Sequence, residues 1–461
     1  MTKYVINAIL GPHDGYLPDL RDDEVCTAVD LLDPNGKLRF GLQGALAKIA
    51  AFGTPATPTA VDLLIVAAIV HAADTRISRW QTAQDAWTRE IKIVVPVADP
   101  AVWNAAAPLL KRMLRFLTGD RWELSFRESP PDRRPGDMAS SLHGTARQFD
   151  CVSLFSGGLD SLIGAVDLLD RGRTPLFASH GGDGAVSGPQ RRLFDALGKT
   201  FVRQGGLARV RLGLTIPKQL VPGVGSEDTT RGRSFLFFSL GAAAGSGFGR
   251  SFELRVPENG LISLNVPLDS TRLGSNSTRT THPFYIHRWN ELLKTLGIPA
   301  TVVNPYWAKT KGEMVSECAN QTVLEALSPL SSSCAHPASK RWNQGKDHCG
   351  YCLPCIIRKG ALLKASWAVK DATDYSVPDL AAQPRNTHTA EGKQVRGFQF
   401  ALARLRSKPE IAKVLVYVPG RLVEDVDIVP ELVSVYERGM AEVAPVVDGV
   451  VTYSSDLIRE R

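Results

Sequence analysis

Ser156-Gly157-Gly158-Leu159-Asp160-Ser161 lies between an apolar run, Cys151-Val152-Ser153-Leu154-Phe155, and an amphipathic stretch from Leu162 to Leu169. The pattern reads as strand, glycine turn, helix. Gly157 and Gly158 permit backbone angles and close approaches that a Cβ would block. Such a turn aims backbone N–H groups at one point, and the following helix adds the positive end of its dipole, so the unit forms an anion seat. Ser156 and Ser161 can donate hydroxyl hydrogen bonds to phosphate oxygens. No lysine follows the turn, which excludes the G-x-x-x-x-G-K-[ST] phosphate loop. The plainer alternative is an ordinary strand-to-helix turn.

The rest of the middle segment, from about Gln148 to Ala381, alternates in the same way. Strand-like runs occur at Thr174–His180, Ala208–Leu214 and Phe252–Pro257, with helix-like runs at Gly188–Phe201 and Arg233–Ala244. This alternation predicts an α/β fold with a doubly wound parallel sheet. Ligands of such sheets sit beyond the carboxyl ends of the strands, where Ser156, His180 and Glu258 fall.

The 461-residue chain is long enough for more than one core, and two linkers divide it. Residues 1–144 read as an added N-terminal α/β domain, with strands at Tyr4–Leu10, Glu90–Val97 and Arg121–Arg127 and helices at Thr59–Ala72 and Ala101–Leu117. The Pro-rich stretch Ser129–Asp137 leads out of it. Residues 148–381 form the sheet domain with the metal loop, and 382–461 a C-terminal extension with a helix-like stretch at Phe398–Leu405. The extension is suited to capping the fold or meeting a partner.

Seven cysteines without a signal-peptide layout argue against a disulfide framework and for a cytoplasmic protein. Cys334, Cys349, Cys352 and Cys355 follow C-x14-C-x2-C-x2-C, which offers four thiolates to one Zn²⁺ and leaves the ion no open position for catalysis. A redox C-x-x-C is the rival reading. His336 and His348 lie nearby and read as loop residues; Cys26, Cys151 and Cys318 read as buried thiols. The longest apolar run, Leu63–Ala73, stops at Asp74, short of a membrane span. A net charge of +7, spread without basic runs, is explained as well by small anionic substrates as by nucleic acid, so direct nucleic-acid binding is not expected.

The S-G-G-x-D-S turn resembles the PP-loop of the ATP pyrophosphatases, which split ATP between its α and β phosphates and adenylate a substrate. Together with the late Cys349-Gly350-Tyr351-Cys352-Leu353-Pro354-Cys355, Gly232-Arg233-Ser234-Phe235-Leu236 and Thr310-Lys311-Gly312-Glu313, it resembles the QueC family, the 7-cyano-7-deazaguanine synthases. The likeness covers about half the chain, from Gln148 to roughly Ala368. It implies a HUP-like fold, ATP and Mg²⁺ as cofactors, and adenylation of the carboxylate of a 7-deazaguanine. Ser156, Asp160, Ser161, Arg233 and Lys311 would be catalytic. Ser156, Gly157, Gly158, Asp160 and Ser161 would hold ATP, and Arg233 would meet the substrate. Beside the resemblance, the strand-end position adds His180 as an ATP contact, and Glu258 and Asn259, in a segment that is not the family's usual loop, can read a purine-like substrate edge by hydrogen bonds.

Several features depart from the compact members of that family. Ser234 stands for Asn, Ser179-His180-Gly181-Gly182-Asp183 replaces F-D-Y-G-Q, and both terminal segments are extra. This enlarged layout is similar to the QueC-like proteins of bacterial anti-phage operons, notably the QatC type of Qat systems. That implies a partner protein from the same operon, whose N-terminal amine would capture the adenylate. The alternatives are a housekeeping nitrile synthase and a non-catalytic nucleotide-binding scaffold. Residue by residue, plainer roles also exist: helix capping for Asp160, a turn for Glu258 and Asn259, a solvated side chain for Lys311, and a structural histidine for His180.

Overall fold

The structure is a computed structural model. It describes residues 2–454 apart from 84, 86, 141–143, 182, 183, 228, 230, 270–278, 336–344 and 367–370. The expectations that touch Gly182, Asp183 and His336 therefore lie outside the described residues.

The alternation anticipated in the middle segment is present. Strands β5 (Cys151–Leu154), β6 (Pro175–His180), β7 (Ala208–Leu212), β8 (Phe252–Arg255) and β9 (Ala300–Val303) pair in parallel in the order β7-β6-β5-β8-β9. Ser153 of β5 stands between Phe177 of β6 and Arg255 of β8. The order reverses at β5, which opens a crevice at its carboxyl end. Side chains alternate between two apolar layers, as the two-residue period of a strand requires. Val152, Leu154, Leu176, Ala178, Val210 and Leu254 face one hydrophobic cluster with Phe235 and Phe238. Phe155 and Phe177 face another with Leu162, Val166, Leu193 and Leu197. Helices thus cover both faces of this sheet.

The N-terminal segment carries a second parallel sheet, ordered β2-β1-β3-β4, of β1 (Lys3–Ile9), β2 (Glu24–Asp30), β3 (Glu90–Val97) and β4 (Arg121–Glu128). Strand β2 was not anticipated, because Glu24-Val25-Cys26-Thr27-Ala28-Val29-Asp30 lacks a strong apolar alternation. The same holds for edge strand β9 and for the helices Leu42–Ala50 and Pro283–Thr295. Both sheets share one hydrophobic cluster, which runs from Ile6 and Ile93 through Leu63 to Val152 and Phe235. The linker boundary in the sequence falls between the sheets, yet their cores are continuous.

The helix Pro58–Arg76 lies inside that shared core. It is apolar on all sides because it is buried on all sides; by length and composition alone it would pass for a membrane span, but almost the whole of it is enclosed by protein. It continues through Asp74, where the sequence pattern stopped, because the carboxylate is fully matched there. Asp74 Oδ1 meets Arg89 at 2.9 Å and Arg79 at 3.3 Å. Its Oδ2 accepts from Gly232 N at 2.7 Å. Asp120 accepts from the same two guanidiniums, each at 2.6 Å. All four charged residues are buried.

The C-terminal helices Ala390–Ser407 and Val429–Val447 pack in a further cluster with Leu261, Leu264, Ile356 and Ile357 of the middle segment. The extension therefore caps the fold, one of the two roles anticipated for it.

Burying four charges is tolerable only while every one is paired. Asp120→Ala leaves Arg89 with Asp74 alone and Arg79 with Asp74 and a longer contact to Glu227 at 3.7 Å, and should destabilise the protein by about 3 kcal/mol or more. Denaturant unfolding of the variant against the parent chain is the measurement; a loss below about 1 kcal/mol is the contrary result.

Candidate functional site

The glycine turn builds its seat at the carboxyl end of β5. Gly157 has φ of +86°, and a Cβ there would crowd the Gln190 backbone at 3.0 Å, so the position suits glycine on two counts. Gly158 N-caps the helix Leu159–Asp170 without any side-chain bond of its own. Hydroxyls satisfy the turn's amides. Gly157 N donates to Ser161 Oγ at 3.1 Å, Gly158 N to Ser156 Oγ at 3.3 Å, and Leu159 N to Ser333 Oγ at 3.3 Å. Ser156 Oγ lies 3.2 Å from Ser161 Oγ. Gln190 supports the turn from behind, donating to the carbonyls of Phe155 and Ser156, both at 3.2 Å.

Asp160 sits in the first turn of that helix and is buried. It does not cap the helix, as a plain reading of its position allowed. Its Oδ1 meets Lys311 Nζ at 2.5 Å. Its Oδ2 accepts from Asn259 Nδ2 at 2.7 Å and Asn259 N at 3.1 Å. Lys311 is likewise buried, which rules out the solvated role. The T-K-x-E stretch has a local physical basis: Thr310 and Glu313 form a capping box at the start of the helix Lys311–Ser316.

Glu258 and Asn259 follow β8. Asn259 is fully buried, and both ends of its amide are engaged, one on Asp160 and the other as the N-cap acceptor for Ile262 N at 3.1 Å. That corrects the expectation that it reads a substrate edge; it holds Asp160. Glu258 is different. It is partly accessible as a residue, although protein surrounds its carboxyl closely. Oε2 accepts from Thr281 Oγ1, and Oε1 has no partner among the described residues. Burial pushes this carboxyl up to about 7, with the nearby Asp160 charge adding to the rise. Asn304 steadies the turn, with its Nδ2 donating to Glu258 O at 2.8 Å.

Arg233 begins the helix Arg233–Ser246. It retains solvent access and has no hydrogen bond or ion pair among the described residues, while desolvation by the protein around it lowers its pKa. An exposed cation with no partner among the described residues is open to an anionic ligand. It does not join the Asp160–Lys311 group. Its electrostatic neighbours are His71 and His180, whose rings meet edge to face with centroids 5.7 Å apart. Burial holds both imidazoles neutral, down to about 4 for His71 and about 3 for His180. His180 Nε2 and His71 Nδ1 are buried without partners among the described residues. Among the described residues His180 makes no hydrogen bond to the glycine turn itself; Gln190 Nε2, reaching His180 O at 3.5 Å, links the two.

Each terminal segment braces one of the two cations. Asp74, from the N-terminal segment, anchors Gly232 N directly before Arg233. Glu442, from the C-terminal helix, accepts from Thr310 Oγ1 and from Gly312 N at 3.0 Å, on either side of Lys311. Arg438 adds an ion pair to Glu313 at 2.7 Å. Sequence reading missed His71, Asp74, Glu442 and the serines before Cys334. Two signals were available: charges interrupting apolar helix patterns at Asp74 and Glu442, and the run Ser331-Ser332-Ser333-Cys334 itself.

The four expected cysteines converge, with their sulfurs all within 4.8 Å of one another. The pairs Cys334–Cys352 and Cys349–Cys355 are each 3.9 Å apart, far beyond a disulfide's bond length. A tetrahedron with Zn–S of about 2.3 Å has sulfurs about 3.8 Å apart, so the donor set fits zinc. Backbone amides of Cys349, Cys352 and Ala335 donate to the sulfurs of Cys334, Cys349 and Cys352, as thiolates favour. Gly350, at φ +86°, lets the knuckle pass under Val377 O, which a Cβ would strike at 2.1 Å. Hydrogen bonds from Cys349, Cys352 and Cys355 hold the Cys334 thiol down, and Cys355 is pushed up by its thiolate neighbours, so a dication is what allows all four to ionise. His348 is no ligand: its Nε2 accepts from Ser333 N at 3.3 Å. Cys151 and Cys318 are buried thiols, pushed up by burial to about 11 and about 12, and Cys26 is half-buried.

Mg²⁺ fits less well. The seat offers Asp160, already neutralised by Lys311, and among the described residues the cysteines are the metal-ligating group that the structure assembles. Mg²⁺ is therefore assigned no protein site.

No protein-family model, curated protein or solved structure matches the chain.

Two outcomes follow from this geometry. Elemental analysis of protein purified without chelator should find one zinc per chain, and stripping it should lower the thermal midpoint, because the thiolate site ties the Cys334 loop to the helix Leu353–Lys364. Glu258 should also give a pH signature. Its folded pKa near 7 exceeds its unfolded value of 4.5, so between them the folded chain keeps a proton that the unfolded chain has lost. Stability from this group is then present below about 4.5 and falls as pH rises to about 7. His71 and His180 act oppositely, so the difference between parent and Glu258→Gln curves isolates the carboxyl; parallel curves would contradict it.

Proposed function

We propose that this chain is an ATP-dependent adenylating enzyme of the PP-loop type with a HUP-like sheet, which activates a carboxylate and passes it to an amine. The observation that carries the reading is the glycine–serine turn at the carboxyl end of the central strand, where the sheet order reverses, with the buried Asp160–Lys311 pair in the first turn of the following helix. A strand-to-helix turn with no ligand needs neither a buried lysine beside its N-terminus nor three serine hydroxyls on its amides.

In this reading the substrate carboxylate oxygen attacks the α-phosphorus of ATP. The bond to the β-phosphate bridging oxygen breaks and pyrophosphate leaves. An amine then attacks the acyl carbon, the carbon–oxygen bond to the phosphate breaks, and AMP leaves. The amine's proton passes to a base. Ser156, Ser161, the turn amides and Lys311 meet the phosphate charge, which water would otherwise have to solvate. Asp160, braced by Asn259, keeps Lys311 aimed into the seat. Holding acyl adenylate and amine together supplies the proximity that a bimolecular reaction lacks.

The substrate is a 7-deazaguanine carboxylate, from the resemblance to the QueC family. Glu258 suits a guanine-like edge, because one carboxyl oxygen is unspent beside a site partly open to solvent. Arg233, unpaired and next to neutral imidazoles, suits the second anion, whether carboxylate or phosphate. The acceptor is the N-terminal amine of a partner protein in an anti-phage operon, by the likeness to the QatC type. Zinc is structural, since four thiolates leave no open position.

With ATP and 7-carboxy-7-deazaguanine, the products should include AMP and pyrophosphate, and mass spectrometry of the operon partner should show an added deazaguanine acyl group. Asp160→Ala or Lys311→Ala should slow turnover by about 10²-fold or more. ADP and phosphate as products would refute the pyrophosphatase reading. Free 7-cyano-7-deazaguanine with an unmodified partner would favour the housekeeping reaction.

A further inference from the structure

Three consecutive serines, Ser331, Ser332 and Ser333, connect the cysteine centre to the phosphate seat, each by a different bond. Ser331 Oγ accepts from Arg358 Nη1 at 2.7 Å, and Arg358 lies on the helix that begins beside Cys352. Arg358 is fully buried and also binds Ser328 O at 2.9 Å and Thr373 Oγ1 at 2.8 Å, so this end of the strap is anchored. Ser332 N donates to Gly157 O at 2.8 Å, at the residue with the left-handed φ. Ser333 Oγ accepts from Leu159 N, the first amide of the seat helix, and Ser333 N donates to His348 Nε2, next to Cys349. The following residue is Cys334, whose sulfur accepts from Cys349 N at 3.5 Å.

We infer that the metal centre and the phosphate seat form one thermodynamic unit, joined by this serine strap, so that zinc at the cysteines and the phosphates of ATP at the glycine turn each tighten the other. The inference rests on the reading of the turn as the ATP seat and of the cysteines as a zinc site. Its physical basis is short. Without a dication, Cys334 loses the bond that fixes its loop, and the strap next to it loses that anchor. Ser332 and Ser333 lie two residues and one residue away. They hold the Gly157 carbonyl and the Leu159 amide, the groups that set the direction of the seat's N–H donors. A seat whose donors are already aimed costs less to fill, and that saving appears as affinity. The coupling is reciprocal, because both ligands draw on the same ordered strap. Ser333 thus becomes a positioning residue for the phosphate site.

The test uses the full-length zinc-loaded protein and measures zinc affinity by equilibrium competition with a chromogenic chelator, with and without saturating ATP and excess Mg²⁺. ATP should tighten zinc by about tenfold, and calorimetry on zinc-stripped protein should show ATP binding weakened by the same factor. Ser333→Ala deletes the hydroxyl under Leu159 while leaving the cysteines intact. Losing one of the strap's hydrogen bonds should cut the mutual effect to about threefold. A zinc affinity unchanged by ATP, in protein that calorimetry shows to bind ATP, would overturn the coupling and leave the proposed function standing. Failure of the zinc-loaded protein to bind ATP at all would overturn both. If stripped protein unfolds, the competition arm on zinc-loaded protein decides alone. A mutual effect equal in Ser333→Ala and the parent would sink the role given to the strap.

Discussion

Asp74 is buried where three parts of the chain need its charge. Arg79 and Arg89 hold it in the N-terminal segment, and Gly232 N brings it the loop that starts the Arg233 helix. A carboxylate removed from water must be matched by donors in fixed places, so the position of this loop is set by the N-terminal segment. Among the described residues Arg233 itself has no hydrogen bond or ion pair; the anchor is on the backbone just before it. The continuous core between the two sheets serves the same end, since two sheets free to shift would not keep Gly232 on Asp74.

The C-terminal helix does for Lys311 what the N-terminal segment does for Arg233. Glu442 takes hydrogen bonds on both sides of Lys311, and burial raises its pKa, so the bonds to Thr310 and Gly312 stay in an environment with little competing water. Gly312 and Gly360 allow that approach; a Cβ on Gly312 would meet Glu442 Oε1 at 2.5 Å, and one on Gly360 would meet Glu442 O at 2.4 Å. Both segments that looked additional in the sequence are thus structural parts of the candidate site.

The seat itself is held in a compact, preorganised state. Three serine hydroxyls accept from the turn's amides, while Ser156 Oγ donates to Ser161 Oγ at 3.2 Å and Ser161 Oγ to Gly158 O at 2.8 Å. An arriving anion would draw these hydroxyl protons away from their present acceptors, with the glycine backbone as the fixed frame. The Asp160–Lys311 pair offsets two buried charges in the absence of ligand, and Lys311 keeps two further donors on its ammonium.

Local signals carried the first half of this structure. The glycine turn, the strand and helix periods around it and the C-x2-C-x2-C spacing were legible because neighbours in sequence determine them: φ at Gly157 and Gly350, the alternation along β5 and β6, and the reach of one knuckle. Strand β2 and edge strand β9 were not legible, since their side chains are only half-buried and their partners supply the pattern. The roles of Asp160, Asn259 and Lys311 needed tertiary contacts spanning ninety-nine residues or more. The sequence alone determined that a glycine–serine turn follows a strand and that a thiolate cluster exists, because each is built from a short stretch of backbone. Only the tertiary structure decided that Asn259 holds Asp160, that Glu258 has one carboxyl oxygen without a partner among the described residues, and that Asp74 and Glu442 brace the backbone beside the two cations. A buried charge takes whichever partner the packed core brings within hydrogen-bond distance, and no local pattern encodes that choice.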